Sequence, residues 1–243
     1  MICEKREKIN KRSFLFLILF LFSTTLISLR TLKKVYIQDI RIYGTDIFSQ
    51  NDVVINSSLK LPIRLILIET NFLEKELKKN LSLKNVSIRR QIFPFGLKVE
   101  VNTRIPIAYA EAILNDEKIS GFIDKNGIFI KKRYAEEKNW PNLSTKVYGW
   151  KEKYKKTLSE VLNAQDNYDF EIVKITFSQN GFLTVEEKDL KTIFLGFNLN
   201  LINHQLRIIS KLKNKFKENN FYEKIDNIDL TNPKKPKIKV FKP

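Results

Sequence analysis

The sequence predicts an α+β protein: a single N-terminal transmembrane helix, then a small β-α-α-β-β domain, then a mainly antiparallel β domain with two helices. Three observations predict it. Ser13 to Leu29 is an apolar run without a charge. Residues 35–103 pass from alternating to helical hydrophobicity and back to alternating. Beyond Pro106, hairpin signals at Asn126-Gly127 and Asn180-Gly181 dominate, and two helical stretches interrupt the strands. The expected organisation is a cytoplasmic tail at 1–12, a membrane helix at 13–29, a linker at 30–34, the first domain at 35–105 and the β domain at 106–243.

The 17 residues of the apolar run span about 26 Å as a helix, slightly less than the roughly 30 Å of a hydrocarbon core. Arg12 and Arg30 close the gap by snorkelling. Lys5, Arg6, Lys8, Lys11 and Arg12 precede the run, and Arg30, Lys33 and Lys34 follow it. That bias places the N-terminus inside and the C-terminal domains outside the cytoplasm. A cleaved signal peptide is the competing reading. Its apolar region is shorter and ends at a small-residue site, whereas here Ser23-Thr24-Thr25 is followed by more apolar residues.

Val35 to Tyr43 alternates as a strand and Gly44 ends it. Ser49-Gln50-Asn51-Asp52 reads as a capping box opening a short helix through Val53 and Val54. Asn71, with Glu74 three residues on, marks a second helix start, and Phe72, Leu73, Leu77 and Leu81 form its apolar stripe. Strands Val86–Gln91 and Leu97–Thr103 follow, joined across Phe93-Pro94-Phe95-Gly96, where Pro94 and Gly96 shape the connection. Two helices on one face of a three-stranded sheet make a small domain, and Pro106 marks its end.

In the second domain, residues 121–130 form a hairpin with Asn126-Gly127 supplying positive φ angles and Asp124 capping the turn. Ile172–Phe177 and Phe182–Glu186 form another hairpin, to which Thr192–Gly196 adds a third strand. The helices are Thr157–Ala164 and Leu201–Glu218, the latter with Ile202, Leu206, Ile209, Leu212 and Phe216 on one face. Lys237–Phe241 is a final strand after the turn Asn232–Pro236. Alternation of Lys237 and Lys239 with Ile238 and Val240 predicts one wet and one packed face.

Composition narrows function. The net charge of +17 raises nucleic-acid binding. However, the basic excess is spread along the chain rather than clustered, so a generally cationic surface is the better reading. The single cysteine, Cys3, precedes the apolar run, so the remainder holds no disulfide and no Cys-based metal site. His204 is the only histidine and falls off the apolar stripe of its helix, as a solvent-exposed residue does. No phosphate loop or dinucleotide fingerprint occurs. Glu136-Glu137 and Glu186-Glu187 are read as solvated neighbours rather than acid–base pairs. No catalytic residue, cofactor or metal is expected, and neither is nucleic acid or a small-molecule substrate.

The block Arg90-Gln91-Ile92-Phe93-Pro94-Phe95-Gly96-Leu97-Lys98-Val99-Glu100-Val101, continued by Arg104-Ile105-Pro106-Ile107-Ala108, resembles the R-x-x-F-P-x-x-L-x-V-x-V and E-R-x-P-V-A pattern of the FtsQ/DivIB bacterial cell-division family. Ile40-Arg41-Ile42-Tyr43-Gly44, Phe122-Ile123-Asp124-Lys125-Asn126-Gly127 and Ile228-Asp229-Leu230 are similar to further family segments. The resemblance covers nearly the whole chain: tail, anchor, POTRA domain and β domain. Thr103 departs from the usual Glu and Thr231 from the usual Arg, which puts charged contacts at those positions in doubt.

The resemblance implies a non-enzymatic division (divisome) scaffold in the inner membrane, enriched at the division site. Its implied partners are FtsB- and FtsL-like proteins and other divisome components, besides membrane lipid around one helix. In the family the C-terminal strand of the β domain binds FtsB. The carry-over places partner binding at Asn232, Lys237, Ile238, Lys239, Val240 and Phe241, where an exposed edge would accept an incoming strand. An ordinary amphipathic terminal strand is the bland alternative. A POTRA-bearing component of an export or outer-membrane assembly system is the other functional reading. Such proteins carry several POTRA copies or a barrel, and this sequence offers one copy and no series of barrel strands.

Overall fold

The apolar run is the centre of a longer helix, α1 (Ile2–Leu32), in a computed structural model that describes residues 2–114, 117–135, 143–218 and 225–241. Ser13–Leu32, 20 residues with none buried, is long and apolar enough to cross a membrane. Its length of about 30 Å matches the hydrocarbon core. The hydroxyls of Ser23, Thr24 and Thr25 each donate to the carbonyl three residues back, at 2.9, 2.9 and 2.8 Å. The polar triplet is therefore satisfied within the helix itself.

The chain forms two compact units that divide between Asn102 and Thr103. In the first, β1 (Lys34–Val35) is followed by a 3-10 turn at Ile37–Asp39 and then β2 (Ile40–Tyr43). The continuous strand expected over Val35–Tyr43 is thus broken. Asp39 is the cause. Its carboxylate accepts from the Tyr36 N–H at 2.8 Å while its own N–H donates to the Tyr36 carbonyl. This local capping outcompetes the sheet ladder.

Helix α2 (Gln50–Ile55) starts at the expected capping box, with the Ser49 side chain accepting from the Asp52 N–H and Asp52 returning the bond. Next come β3 (Ile63–Arg64), which pairs with β1, a 3-10 turn at Leu65–Leu67, and α3 (Thr70–Asn80). The start of α3 differs from expectation. Glu69 is the N-cap residue and no side chain caps the helix. Glu74 instead accepts from the Ile88 N–H at 2.7 Å, tying the helix to the sheet.

Strands β4 (Asn85–Gln91) and β5 (Gly96–Asn102) complete a sheet ordered β2-β5-β4, with β2 parallel and β4 antiparallel to β5. Leu73, Leu77 and Leu81 are buried as the stripe predicts, but Phe72 is half exposed. It lines an open groove with Leu59, Ile63 and Leu67.

The second unit is built on one nine-stranded sheet among the described residues. Its strands are β6 (Ala108–Leu114), β7 (Glu117–Ile123), β8 (Phe129–Lys131), β9 (Lys146–Trp150), β10 (Ile172–Phe177), β11 (Leu183–Glu187), β12 (Lys191–Gly196), β13 (Ile225–Asp229) and β14 (Lys237–Val240). Their order is β14-β13-β12-β11-β10-β9-β6-β7-β8, mostly antiparallel, with parallel pairs β6–β9, β9–β10 and β12–β13. Helices α4 (Lys155–Tyr168) and α5 (Ile202–Glu218) supply the connections that parallel pairing of neighbours requires. Leu158, Val161 and Leu162 of α4 and Ile202, Leu206, Ile209 and Phe216 of α5 join the sheet residues in one core. His204 is exposed, as its place off the stripe predicts.

Two further expectations change. At the first hairpin only Gly127 has positive φ (+72°), not Asn126. The turn is a longer one in which Asp124 Oδ1 accepts from the N–H groups of Asn126 and Ile128, so Asp124 does cap it. A Cβ at Gly127 would stand 2.2 Å from the Lys155 carbonyl oxygen, so close approach of α4 demands glycine here. Glu187 is buried rather than solvated. Glu136 and Glu137 lie outside the described residues.

Candidate functional site

Strand β14 lies at one edge of the large sheet, bonded to β13 alone. Its antiparallel register pairs Asp229 with Lys237, Ile228 with Ile238, Asn227 with Lys239 and Ile225 with Val240. Opposed residues share a face, so Ile238 and Val240 stand on the same face as the buried Ile228 and Ile225. Lys237 and Lys239 stand on the other.

Every residue of β14 is exposed. Ile238 and Val240 remain 39% and 42% accessible, which corrects the packed face expected for them. The core beneath β13 does not reach sideways far enough to cover the next strand. Phe241 lies just beyond β14 and is 56% accessible. Asn232 is in the preceding turn, where its Oδ1 accepts from the Lys234 N–H at 3.1 Å and its carbonyl from the Lys235 N–H at 3.0 Å. The six residues thus divide into one turn former, four strand residues and one flanking aromatic.

What holds this edge in place lies one layer inward. Asp229 Oδ1 accepts from both the hydroxyl (2.6 Å) and the N–H (2.9 Å) of Thr231. The Thr231 hydroxyl first, and then its N–H, hold the Asp229 carboxyl below its ordinary value. Thr231, noted as a departure from the family pattern, therefore shapes the chain leaving β13. Lys239 Nζ meets Asp226 at 3.1 Å in the open, a type of pair that contributes about 1 kcal/mol or less.

The buried Gln205 on α5 donates from one amide nitrogen to the Leu195 carbonyl (2.7 Å) and the Leu230 carbonyl (2.8 Å). It locks the ends of β12 and β13 to the helix. Reading α5 as an apolar stripe missed it, although a glutamine beside Leu206 on the inward arc was the available signal.

Two charged contacts fix other parts of the unit. Glu187 accepts from Lys213 Nζ at 2.7 Å and from the N–H groups of Asp189 and Leu190 at 2.8 Å each. Burial pulls the Lys213 ammonium down, but Glu187 and then Asp189 more than offset this, and its pKa is raised. Arg104 meets Asp124 at 2.6 Å with both side chains largely buried. That ties the Arg-x-Pro segment to the hairpin cap. Among the described residues, no group of three or more His, Cys, Asp or Glu is placed to hold a metal ion.

An open edge of this kind offers backbone donors and acceptors on a row flanked by apolar and cationic side chains. Compared with curated proteins, the chain finds no match. Residues 35–104 match the protein family described as POTRA domain, FtsQ-type, a generally non-enzymatic family. The matched segment contains the Arg90–Val101 block, in which Arg90 grips the Ile68 carbonyl through Nε and Nη2 at 3.1 and 2.8 Å. Residues 35–104 are therefore a POTRA domain of the FtsQ type, the type found in FtsQ/DivIB-like proteins.

Proposed function

We propose that this chain is a non-enzymatic division scaffold that captures FtsB- and FtsL-like partners, and positions other divisome components, by strand addition at the β14 edge. The observation that carries this is an edge strand exposed at every residue in a chain with an FtsQ-type POTRA domain. An incoming strand would place apolar side chains beside Ile238 and Val240, and polar or acidic ones beside Lys237 and Lys239. Asn232 shapes the approach and Phe241 extends the apolar row. The reading includes residues 1–12 in the cytoplasm, the two domains outside it, and enrichment at the division site.

The test separates backbone from side chain. Lys239→Pro and Ile238→Pro each delete one N–H and restrict φ, and one of the two faces outward. At least one should abolish capture of an FtsB-like partner while circular dichroism stays unchanged, and Lys239→Ala should keep most binding. Normal binding by both folded proline variants would remove β14 as the docking strand. A reporter active only outside the cytoplasm, fused after Pro243, should work. Activity of an inside-only reporter there would overturn the orientation.

A further inference from the structure

The C-terminal end of α1 and the β4–β5 connection form a cluster that the scaffold role does not use. The Arg30 guanidinium lies 3.9 Å from the centroid of the Phe93 ring, and its Nη1 donates to the Ile92 carbonyl at 2.9 Å. Lys33 Nζ sits 4.9 Å from the Phe95 centroid. Arg41 donates to the carbonyls of Pro94 and Phe95 at 3.2 and 3.4 Å. The Leu65 N–H donates to the Lys33 carbonyl at 3.2 Å, which draws the turn Leu65–Leu67 to the helix end as well. The loop is thus fastened to Arg30 near the end of α1 and the turn to Lys33 just beyond it.

Both present apolar side chains outward. Phe93 is 77% accessible, and Ile66 and Leu67 are 52% and 61% accessible. A loop pinned by three side-chain hydrogen bonds and two cation–π contacts, beside a turn held by a backbone hydrogen bond, with large apolar groups of both in the open, is suited to a medium other than water. The chain itself sets their height. Arg30 belongs to the segment Ser13–Leu32 that is long and apolar enough to cross the bilayer, so side chains touching Arg30 stand where that helix leaves the hydrocarbon. Aromatic rings, aliphatic side chains and cations at one level are the composition of the membrane–water interface.

We propose that the Ile92–Phe95 loop and the Leu65–Leu67 turn form a foot seated in the interfacial layer of the leaflet from which α1 emerges. Phe93, Ile66 and Leu67 enter the acyl boundary, and Arg30, Lys33, Lys34 and Arg64 lie at the level of the lipid phosphates. The POTRA domain then stands on the bilayer at several points rather than swinging from one helix.

This inference rests on α1 crossing the bilayer, which the proposed function also assumes. The test uses the full chain with Cys3→Ser, a single cysteine at position 20, 55, 66 or 93 labelled with an environment-sensitive NBD dye, and vesicles of phosphatidylcholine and phosphatidylglycerol. Quenching is compared between aqueous iodide and a lipid carrying a nitroxide near its headgroup. Phe20 reports the span itself. Ile55, exposed on α2 and outside the cluster, reports water. Labels at 66 and 93 should be blue-shifted, quenched by the lipid nitroxide, and several-fold less open to iodide than the label at 55. Phe93 is intact in the position-66 protein, so protection there does not depend on having replaced it. If position 20 is lipid-quenched while 66 or 93 behaves like 55, the two-point foot is wrong and the span stands. If position 20 is open to iodide, the span fails and the foot fails with it.

Discussion

The side-chain amide of Gln205 holds the Leu230 carbonyl at 2.8 Å, directly after β13 and ahead of the turn into the exposed strand β14. The same nitrogen holds the Leu195 carbonyl, so one buried group aligns two neighbouring strands from the helix side. Gln205→Leu fits the site by volume but removes the donor that two buried carbonyls share. Each such loss costs about 1–3 kcal/mol. The expected outcome is a clear drop in the urea midpoint of residues 31–243. Weaker partner capture should accompany it even under conditions where the variant is folded.

Glu187→Gln tests the buried pair with Lys213. Removing one member of a buried ion pair typically costs about 3–5 kcal/mol. Asp189 remains 3.3 Å from Lys213, so the lower end of that range is expected. Because the raised Lys213 pKa favours its charged form, the stability it adds is present below the ordinary lysine range and is lost as pH rises through the folded value. Equilibrium denaturation near neutral pH measures the cost. Alkaline denaturation should begin at a lower pH in the variant.

Leu77→Ala probes the POTRA core. Leu77 is 1% accessible on α3, and truncating a buried leucine costs about 2–5 kcal/mol. A loss below about 1 kcal/mol in a denaturant titration would contradict the packing of α3 on its sheet.

Thr231→Val should raise the Asp229 pKa, because the hydroxyl is the first cause of its depression. The Thr231 N–H still donates, so a residual depression should persist. A carboxylate with a lowered folded pKa contributes stability above its unfolded value and loses it as pH falls through the folded one. The turn after β13 should therefore loosen at a higher pH in the variant than in the parent. Carboxyl carbon NMR titration of Asp229 measures both.

Much of the fold was legible because short-range physics decided it. The charge-free run, the Ser49–Asp52 capping box, the three-leucine stripe of α3 and the α5 stripe each depend on residues within a turn or two of one another. What was missed depends on distant partners. The Asp39 turn is local, but that it would win over the ladder depends on β2 pairing with β5, far along the chain, and β1 with β3. Glu187 reads as surface charge until Lys213, far along the chain, supplies its counter-ion. Strands β6 and β9 pair in parallel across a long connection, which no local alternation announces. Of the candidate site, the strand Lys237–Val240 could be read from its alternation. The accessibility of Ile238 and Val240 could not, since it depends on how far α4 and α5 extend over the sheet.

Strand β14 also has a protective role that follows from its place in the sheet. It is joined to the sheet through β13 alone, and β13 carries Ile225 and Ile228, both fully buried. A chain interrupted before Lys237 would not merely lack the proposed docking strand. It would bare the backbone row of β13 beside two large aliphatic side chains, with no lysine on that row to discourage self-pairing. Lys237 and Lys239 on the native edge discourage its pairing with copies of itself. Nonsense truncation in the turn Asn232–Pro236 would therefore produce a sticky protein rather than a silent one.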